Sequence, residues 1–386
     1  MTTTLATRKS TTKARPAASP KTHSAGQIVL VLQGGGALGA YQAGVYEAMC
    51  EAGIEPEWVI GTSIGAINGA LIAGNEPANR LPRLAEFWRR VRNRPSIADL
   101  WASAFNGAIA NLGIVTQGVP GFFLPNPGAL FGIHYPQGIE RAAFYSTEPL
   151  KETLSGLIDF DYLNSRHVRL TTGAVSAATG AMRYFDSRHM PLDVRHVMAS
   201  GALPPAFPAV DIDGEPYWDG GIYSNTPVEV VFDDRPRLNS LIFSVNMWQP
   251  SGPAPETIWQ VLGRQKDIQY SSRGLSHVAR QQQIHRLRHV IRELAKRLPK
   301  EQSDSPQIKE LTDYGCGTTM HLVRLLAPRL DNEDHTKDID FSEGGIRGRW
   351  QAGLDYARGV IAREPWQCEV DPLTGVVIHQ VEERAS

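Results

Sequence analysis

The sequence has few cysteines and no long apolar segment. Its three cysteines, Cys50, Cys316 and Cys368, lie far apart in the chain. Such an odd, scattered set argues against a disulfide framework or a zinc site and favours a reducing compartment. The longest weakly apolar stretch, residues 59–74, is rich in Gly and Ala and is shorter than the roughly 20 apolar residues of a membrane span. We therefore expect no transmembrane helix and a cytoplasmic protein, with peripheral membrane association left open.

The chain also lacks a large net charge, because 39 Lys and Arg residues balance 40 Asp and Glu residues. Overall charge thus indicates no polyanionic partner, and nucleic-acid binding is not expected. The first 26 residues are an exception, with five basic residues and no acidic one. This segment lacks the apolar core of a secretion signal. Its composition is typical of a disordered basic tail, with an organelle transit peptide as the alternative.

Patterns typical of strands and helices alternate after this tail, and no internal repeat is visible. Residues 28–32 form an unbroken aliphatic run, which is typical of a strand buried on both faces of a parallel sheet. Further predicted strands lie at 58–60, 168–175, 181–186 and 241–245, and predicted helices at 40–52, 64–73, 80–94 and 194–200. This order predicts an α/β fold, a layered α/β/α arrangement with a mainly parallel central sheet.

The character of the sequence changes after Trp248. Residues 258–298 are helical in pattern and strongly basic, and Pro299 ends them. Beyond them we predict a charged linker at 300–305, a strand at 318–326, a helix at 347–363 and a terminal β-hairpin at 368–381. The basic residues between 264 and 297 indicate either a solvated helix face or a docking surface for anionic lipid head groups.

A G-x-S-x-G motif is formed by Gly61, Ser63 and Gly65 with the residues between them. An apolar strand leads into the motif and a Gly- and Ala-rich helix leads out, so a tight strand-to-helix turn is predicted. Such a turn places the serine at a helix N-terminus, where backbone N–H groups favour negative charge. Ser63 is thereby a candidate nucleophile, although the pattern alone also fits a plain N-cap serine.

A glycine cluster, with Gly34, Gly35, Gly36 and Gly39, follows the first predicted strand. Its formal G-x-G-x-x-G pattern has three interpretations. A dinucleotide site expects an acidic residue at the end of the next strand, where this chain instead has Ser63. The second interpretation is a tight turn without a further role. The third, which we favour, is an oxyanion hole, since residues without bulky side chains expose successive N–H groups to a developing negative charge.

A base for Ser63 has to come from elsewhere in the chain. None of the 11 histidines lies in a setting that indicates this role. Asp219 precedes two glycines, and by itself this pattern predicts only a turn. A carboxylate can nevertheless replace histidine if partial desolvation raises its pKa toward neutrality.

Taken together, the glycine loop, the G-x-S-x-G motif and the later Asp-Gly-Gly resemble the patatin-like phospholipase family, in particular bacterial members with a C-terminal extension. The stretch at 200–208 also resembles a segment that such proteins carry before their aspartate. The resemblance covers about residues 28–245. It implies a Ser/Asp dyad in which Ser63 is the nucleophile and Asp219 the base. It also implies that the oxyanion is bound by the N–H groups of Gly34, Gly35, Gly36 and Ala37.

The resemblance also implies a function and a division of the chain. The expected activity is hydrolysis of lipid carboxylic esters, of phospholipase or lysophospholipase type, without metal or cofactor. Alternatives are an esterase for short hydroxyacyl esters or oligoesters, and a weakly active lipid-binding or regulatory protein. The chain divides into a disordered tail (1–26), a catalytic domain (27–248) and a mainly helical, basic C-terminal extension (249–386).

Two further features bear on the site. Leu38 stands where many family members carry Arg or Lys, which implies that backbone donors alone stabilise the oxyanion. Residues 95–138 are irregular, apolar and rich in Gly, Pro and Phe. They are either a packed loop or the wall of an apolar pocket.

Overall fold

The structure of the chain is a computed structural model that describes residues 26–92, 118–132, 134–330, 333 and 335–380. The predicted tail at 1–26, apart from Gly26, and part of the irregular region at 95–138 therefore fall outside the described residues. The strands are β1 (Gln27–Leu32), β2 (Trp58–Thr62), β3 (Leu124–Pro125), β4 (Tyr145–Ser146), β5 (Arg169–Ser176), β6 (Met182–Asp186), β7 (Val210–Ile212), β8 (Glu215–Asp219), β9 (Ser240–Asn246), β10 (Met320–Leu326) and β11 (Val376–Gln380).

Eleven α-helices connect these strands in the part of the chain that the structure describes. They are α1 (Ala40–Glu51), α2 (Ile64–Ala73), α3 (Pro77–Arg90), α4 (Glu148–Leu157), α5 (Phe160–Asn164), α6 (Val194–Ser200), α7 (Glu229–Asp233), α8 (Ile258–Ala295), α9 (Lys300–Ser303), α10 (Pro306–Thr312) and α11 (Glu343–Arg363). Among these helices, none is long and apolar enough to cross a membrane.

A mainly parallel sheet forms the centre of the molecule. Among the described residues it has nine strands, with β6 paired to β5 and the others in the order β11-β10-β9-β1-β2-β5-β8-β7. The strand β1 lies between β2 and β9 and is parallel to both. Its residues are buried on alternate faces of the sheet, which explains the unbroken aliphatic run in the sequence. The predicted α/β fold with a mainly parallel sheet is confirmed.

Helices cover both faces of this sheet. Leu30 and Leu32 belong to a core on one face that also contains residues of α1, α2 and α11. Val29 and Val31 point to the other face of the sheet. There they pack in a second core that includes Phe232 of α7 and is also formed by α8. The result is the predicted three-layer α/β/α arrangement.

The strand β5 brings two distant parts of the sequence together. On one edge it pairs in parallel with β2, up to the pair Thr62↔Gly173. The opposite edge is occupied by β6. Antiparallel β8 therefore takes the edge that β2 leaves free, with Asp219 opposite Ala174, the residue next to Gly173. The end of β8 thus lies directly beyond the end of β2.

The C-terminal part of the chain is helical, as predicted, but it also extends the same sheet. The strand β10 pairs with β9, and β11 pairs with β10, both in parallel. The predicted hairpin at 368–381 is therefore wrong. The turn around Asp371 and Gly375 precedes a single strand whose paired residues in β10 lie 56 positions earlier in the chain. The predicted charged linker at 300–305 also differs, because residues Lys300–Ser303 form the short helix α9.

Candidate active site

Ser63 occupies a strained turn between β2 and α2. Its φ of 58° and ψ of −128° lie in a region that residues with a side chain rarely adopt. The turn is tight enough to require glycine on both sides. A Cβ at Gly61 would lie 2.3 Å from the carbonyl oxygen of Gly65, and one at Gly65 would lie 2.2 Å from that of Leu32. The half-buried side chain of Ser63 stands at the N-terminus of α2, as the motif predicts.

The main chain of Ser63 is fixed by Ser200 at the end of α6. The N–H of Ser63 donates to the carbonyl oxygen of Ser200 at 3.1 Å and to its hydroxyl oxygen at 3.1 Å. The hydroxyl of Ser200 in turn donates to the carbonyl oxygen of Gly173 in β5 at 2.6 Å. From the sequence, no role is predicted for the stretch that begins with Ser200. Its first residue holds the turn to the sheet.

Asp219 faces Ser63 at the end of β8. Its side chain is only 2% exposed, and the nearby hydroxyl of Ser63 acts to lower its pKa. The N–H of Gly221 donates to Asp219 Oδ1, at 2.7 Å. Burial raises the pKa of Asp219 to about 7, even though the N–H of Gly221 and the hydroxyl of Ser63 both act to lower it. A carboxylate in this state can accept a proton near neutral pH.

The glycine loop between β1 and α1 offers fewer free N–H groups than its sequence indicates. The N–H of Gly34 donates to the carbonyl oxygen of Asn225 at 3.1 Å, and that of Ala37 to the carbonyl oxygen of Asp338 at 2.8 Å. Within the described residues, the N–H groups of Gly35 and Gly36 have no protein acceptor. Of the four candidate donors, only these two remain available to a ligand.

The loop is held in place by residues that sequence reasoning missed. The carbonyl oxygen of Gly34 accepts hydrogen bonds from the indole N–H of Trp248 at 2.8 Å and from the side-chain amide of Asn225 at 3.1 Å. A Cβ at Gly34 would lie 2.3 Å from Asn225 Oδ1 and 3.0 Å from the Cβ of Ser63. The close approach to Ser63 explains why glycine is needed here. Neither Trp248 nor Asn225 belongs to a motif, and we find no sequence signal that identifies them.

Leu38 points away from the site. Its side chain is buried in the core and lies with Tyr41 and Met247 in a small gap beneath the loop. It does not line the cavity that contains Ser63. A leucine here therefore stabilises the loop from below and leaves the space above Ser63 to backbone groups.

An apolar cavity of ≈ 170 Å³ opens above Ser63 and Asp219. Much of its wall is aromatic, formed by Phe122, Phe123, Tyr145, Phe207 and Phe341. Phe122 and Phe123 come from the irregular region at 95–138, so the described part of that region does contribute to a pocket wall. No histidine lines the cavity among the described residues. Its polar lining includes Ser63, Asp219, Asn225 and the glycine loop.

The C-terminal part of the chain closes one side of this cavity. Tyr270 from α8 and the segment with Asp338 and Phe341 line it. Two ion pairs fasten that segment to α8. They are Lys266 with Asp338, at 2.8 Å, and Lys337 with Asp267, also at 2.8 Å and with both side chains buried. The sequence predicts no role for Asp267, Lys337 and Asp338, and it places Lys266 only within the basic stretch at 264–297.

The basic stretch at 264–297 does not form one surface. Arg264 donates to the carbonyl oxygens of Gln249 and Pro250, and Lys266 binds Asp338. Farther along α8, Arg280, Arg286 and Arg292 are exposed. They are spaced six residues apart, so at 3.6 residues per turn they point about 120° away from one another. Only a fraction of the positive charge can therefore face a given surface.

Comparison with known proteins extends these observations. Residues 30–232, more than half of the chain, match the Patatin family, described as patatin-like phospholipase. Residues 268–373 match a second family, described as patatin phospholipase. Among solved structures, the chain is similar to VipD from Legionella pneumophila, with a TM-score of 0.39 and 14% identity over 88% of this chain and 67% of that one.

Curated relatives are matched over short parts of their length. Patatin-like phospholipase domain-containing protein 6 of Mus musculus is 46% identical over 63 residues, which are 16% of this chain and 5% of the relative. Lysophospholipase nte1 of Aspergillus terreus is 26% identical over 260 residues, which are 61% of this chain and 14% of the relative. This chain thus spans a small fraction of these relatives. Because the match to the Patatin family covers more than half of the chain, the chain belongs to the patatin-like phospholipases.

Proposed function

We propose that this protein is a serine acyl hydrolase that cleaves lipid carboxylic esters through a Ser63/Asp219 dyad. The observation that carries the proposal is that Ser63 shares a cavity with the buried carboxylate of Asp219 and interacts with it, while burial raises the pKa of Asp219 to about 7. A serine hydroxyl becomes a good nucleophile only when a neighbouring group accepts its proton. Membership of the patatin-like phospholipases supports an ester of a lipid as the substrate.

In the first step, Oγ of Ser63 attacks the carbonyl carbon of the ester while Asp219 accepts the hydroxyl proton. The carbonyl oxygen becomes an oxyanion, for which we propose the N–H groups of Gly35 and Gly36 as donors. The N–H of Ile64, the residue after the nucleophile, is a further donor at the start of α2, where helical N–H groups lack partners within the helix. Losing one such donor typically costs about 2.7–4 kcal/mol of transition-state stabilisation.

The alcohol is released next, and hydrolysis of the acyl-enzyme then releases the acid. As the tetrahedral intermediate collapses, protonated Asp219 donates its proton to the leaving alkoxide, and an acyl-Ser63 ester remains. A water molecule that gives its proton to Asp219 then attacks this ester. Collapse of the second intermediate returns the proton to Oγ of Ser63 and frees the carboxylic acid.

The cavity volume favours a second candidate substrate class. A dry cavity of about 150 Å³ in another protein holds a molecule the size of benzene, and the cavity here is ≈ 170 Å³. A short acyl group fits that space, whereas a long chain has to extend past the aromatic wall. This supports an esterase for short hydroxyacyl esters or oligoesters as the alternative to a lipid hydrolase.

The proposal is tested by ester hydrolysis with an acyl-chain series from acetyl to palmitoyl, together with lysophospholipid. We expect Ser63→Ala and Asp219→Asn each to lower kcat/KM by about 10²–10⁴-fold or more on every active substrate. Ser240→Ala, a buried serine at the start of β9, serves as the matched control and should retain activity. The best acyl length separates the two substrate classes.

Two results would contradict the proposal. Full activity of the Asp219→Asn variant would show that Asp219 is not the base for Ser63. Absence of any Ser63-dependent turnover in the wild-type protein would favour the remaining alternative, a lipid-binding or regulatory protein with little activity.

Contact with an anionic membrane through the basic stretch at 264–297 is a separate proposal. It is supported by the exposure of Arg280, Arg286 and Arg292 and by a lipid substrate class. Because these arginines point in different directions around α8, we expect each orientation of the helix to bring only one or two of them to a lipid surface.

A further inference from the structure

Three side chains with metal-binding atoms converge at the far edge of the sheet. His321 lies on β10, His379 lies on β11, and Cys368 follows the turn Pro365–Gln367 after α11. One ligand atom from each of the three lies within 4.8 Å of the others. They come from three separate elements, so no spacing in the sequence indicates that they meet.

The two imidazoles already face each other. His321 Nδ1 and His379 Nε2 are 3.0 Å apart and share one proton in a hydrogen bond. Both side chains lie on the face of the sheet that α11 covers. Arg324 is on the opposite face, because neighbours along a strand alternate, and its positive charge is directed away from the imidazoles. Donor atoms of this kind, two neutral nitrogens and one sulfur, are those that zinc prefers.

We propose that His321, Cys368 and His379 bind one zinc ion, with a water molecule as the fourth ligand. In tetrahedral coordination, Zn–N bonds of about 2.0–2.1 Å place two nitrogen ligands about 3.3 Å apart. The observed 3.0 Å is close to that separation, so the ion replaces the shared proton with little movement of either ring. Cys368 is exposed, so its side chain has the freedom to rotate its sulfur toward the ion.

The site lies apart from Ser63 and Asp219. The strands β9, β1 and β2 lie between β10 and the strand β5 that positions Ser63 and Asp219. An ion bound to these three residues ties β11 and the segment after α11 to β10. It therefore stabilises the last described strand of the chain and leaves ester hydrolysis unchanged, and the proposal stands independently of the enzymatic one.

The test uses the full-length protein after chelation and dialysis. Titration with Co²⁺, a spectroscopic substitute for Zn²⁺, should give one bound equivalent and a thiolate-to-cobalt charge-transfer band that Zn²⁺ abolishes. Cys368→Ser should lose the band, and His379→Gln should weaken binding at least tenfold. Cys316→Ser and Cys50→Ser are matched controls and should keep both the band and the affinity.

A second readout is thermal stability. An ion that binds the folded state alone raises Tm, and the rise grows with the logarithm of the ion concentration above Kd. Zn²⁺ should therefore raise Tm of the wild type and of Cys316→Ser but not of Cys368→Ser. Since Cys368 is exposed, its replacement by serine is expected to fold. The proposal is overturned if wild-type protein binds no Co²⁺, or if Cys368→Ser and His379→Gln bind it as tightly as the wild type.

Discussion

The part of the chain up to residue 248 and the part after it contribute to the site in different ways. The first part supplies the nucleophile, the base and the glycine loop, each in a short motif. The second part supplies no motif. It contributes Asp338, whose carbonyl oxygen engages the N–H of Ala37, and the side chains of Tyr270 and Phe341 in the cavity wall.

This difference separates the groups that react with the substrate from the groups that only hold them in place. Reacting groups need particular residue types in a particular local geometry, and such geometry leaves a sequence pattern. A wall or an anchor needs only the right volume or a backbone carbonyl, which many residues supply. The C-terminal part also adds β10 and β11 to the sheet, so we expect both parts to unfold together.

The largest effect on stability is expected from the buried ion pair between Lys337 and Asp267, which joins two segments of the C-terminal part. Lys337→Met leaves the carboxylate of Asp267 buried at 6% exposure without its cation. Breaking a buried pair in this way typically costs about 3–5 kcal/mol. We expect that loss in the free energy of unfolding measured by urea denaturation.

Replacing both partners, in Asp267→Leu with Lys337→Met, is the control. It removes both charges, so most of the lost stability should return. A single cooperative transition in both proteins would support one folding unit, whereas two separate transitions would show that the C-terminal part folds independently.

A somewhat smaller effect on the free energy of unfolding is expected from the raised pKa of Asp219. Its folded pKa is about 7, above the roughly 3.9 of an unfolded aspartate. A raised pKa contributes stability that is present below pH 4 and is lost as pH rises through about 7. Asp219→Asn does not titrate and keeps an oxygen that accepts from Gly221. It should therefore be more stable than wild type at pH 8 by about 2–4 kcal/mol.

The measurement is urea unfolding of both proteins between pH 4 and pH 8. The advantage of Asp219→Asn should shrink toward zero at pH 4. A constant difference across this range would mean that the pKa of Asp219 is not raised in the folded protein.

The ion pair between Lys266 and Asp338 tests how the C-terminal part supports the glycine loop. Its side chains are partly exposed, so it contributes little to stability. Lys266→Gln should loosen the segment whose carbonyl oxygen engages Ala37. We expect a three- to tenfold lower kcat, with KM little changed and Tm within about 1–2 °C of the wild type. Arg297→Gln, at an exposed position beyond the end of α8, is the control. Unchanged kcat in Lys266→Gln would limit the role of this segment to lining the cavity.

The smallest effect is expected on the exposed part of α8. A basic residue near an anionic surface contributes about 1 kcal/mol to binding, so Arg286→Gln should weaken binding to phosphatidylserine-containing vesicles about fivefold. Binding to neutral phosphatidylcholine vesicles should not change. Equal binding of wild type and a triple variant with Arg280, Arg286 and Arg292 changed to glutamine would contradict the membrane proposal.

The sequence predicted most of the sheet and the positions of Ser63 and Asp219, because buried aliphatic runs and glycine-dependent turns are local signals. The helix α2 begins and ends where it was predicted. The pairing of β11 was not predictable, since its parallel partner is distant and the turn at 371–375 within an alternating pattern is typical of a hairpin. Likewise, a glycine pattern cannot reveal that Asn225 and Asp338 already engage two of the N–H groups.

The dyad itself is tested most directly by the rate at which a fluorophosphonate labels Ser63, measured from pH 5 to pH 9 in wild type and Asp219→Asn. We predict that the wild-type rate rises with pH, with a midpoint near the pKa of about 7 for Asp219. Asp219→Asn should label at least about 100-fold more slowly at neutral pH. Equal labelling rates in the two proteins, or labelling of a serine other than Ser63, would contradict the account.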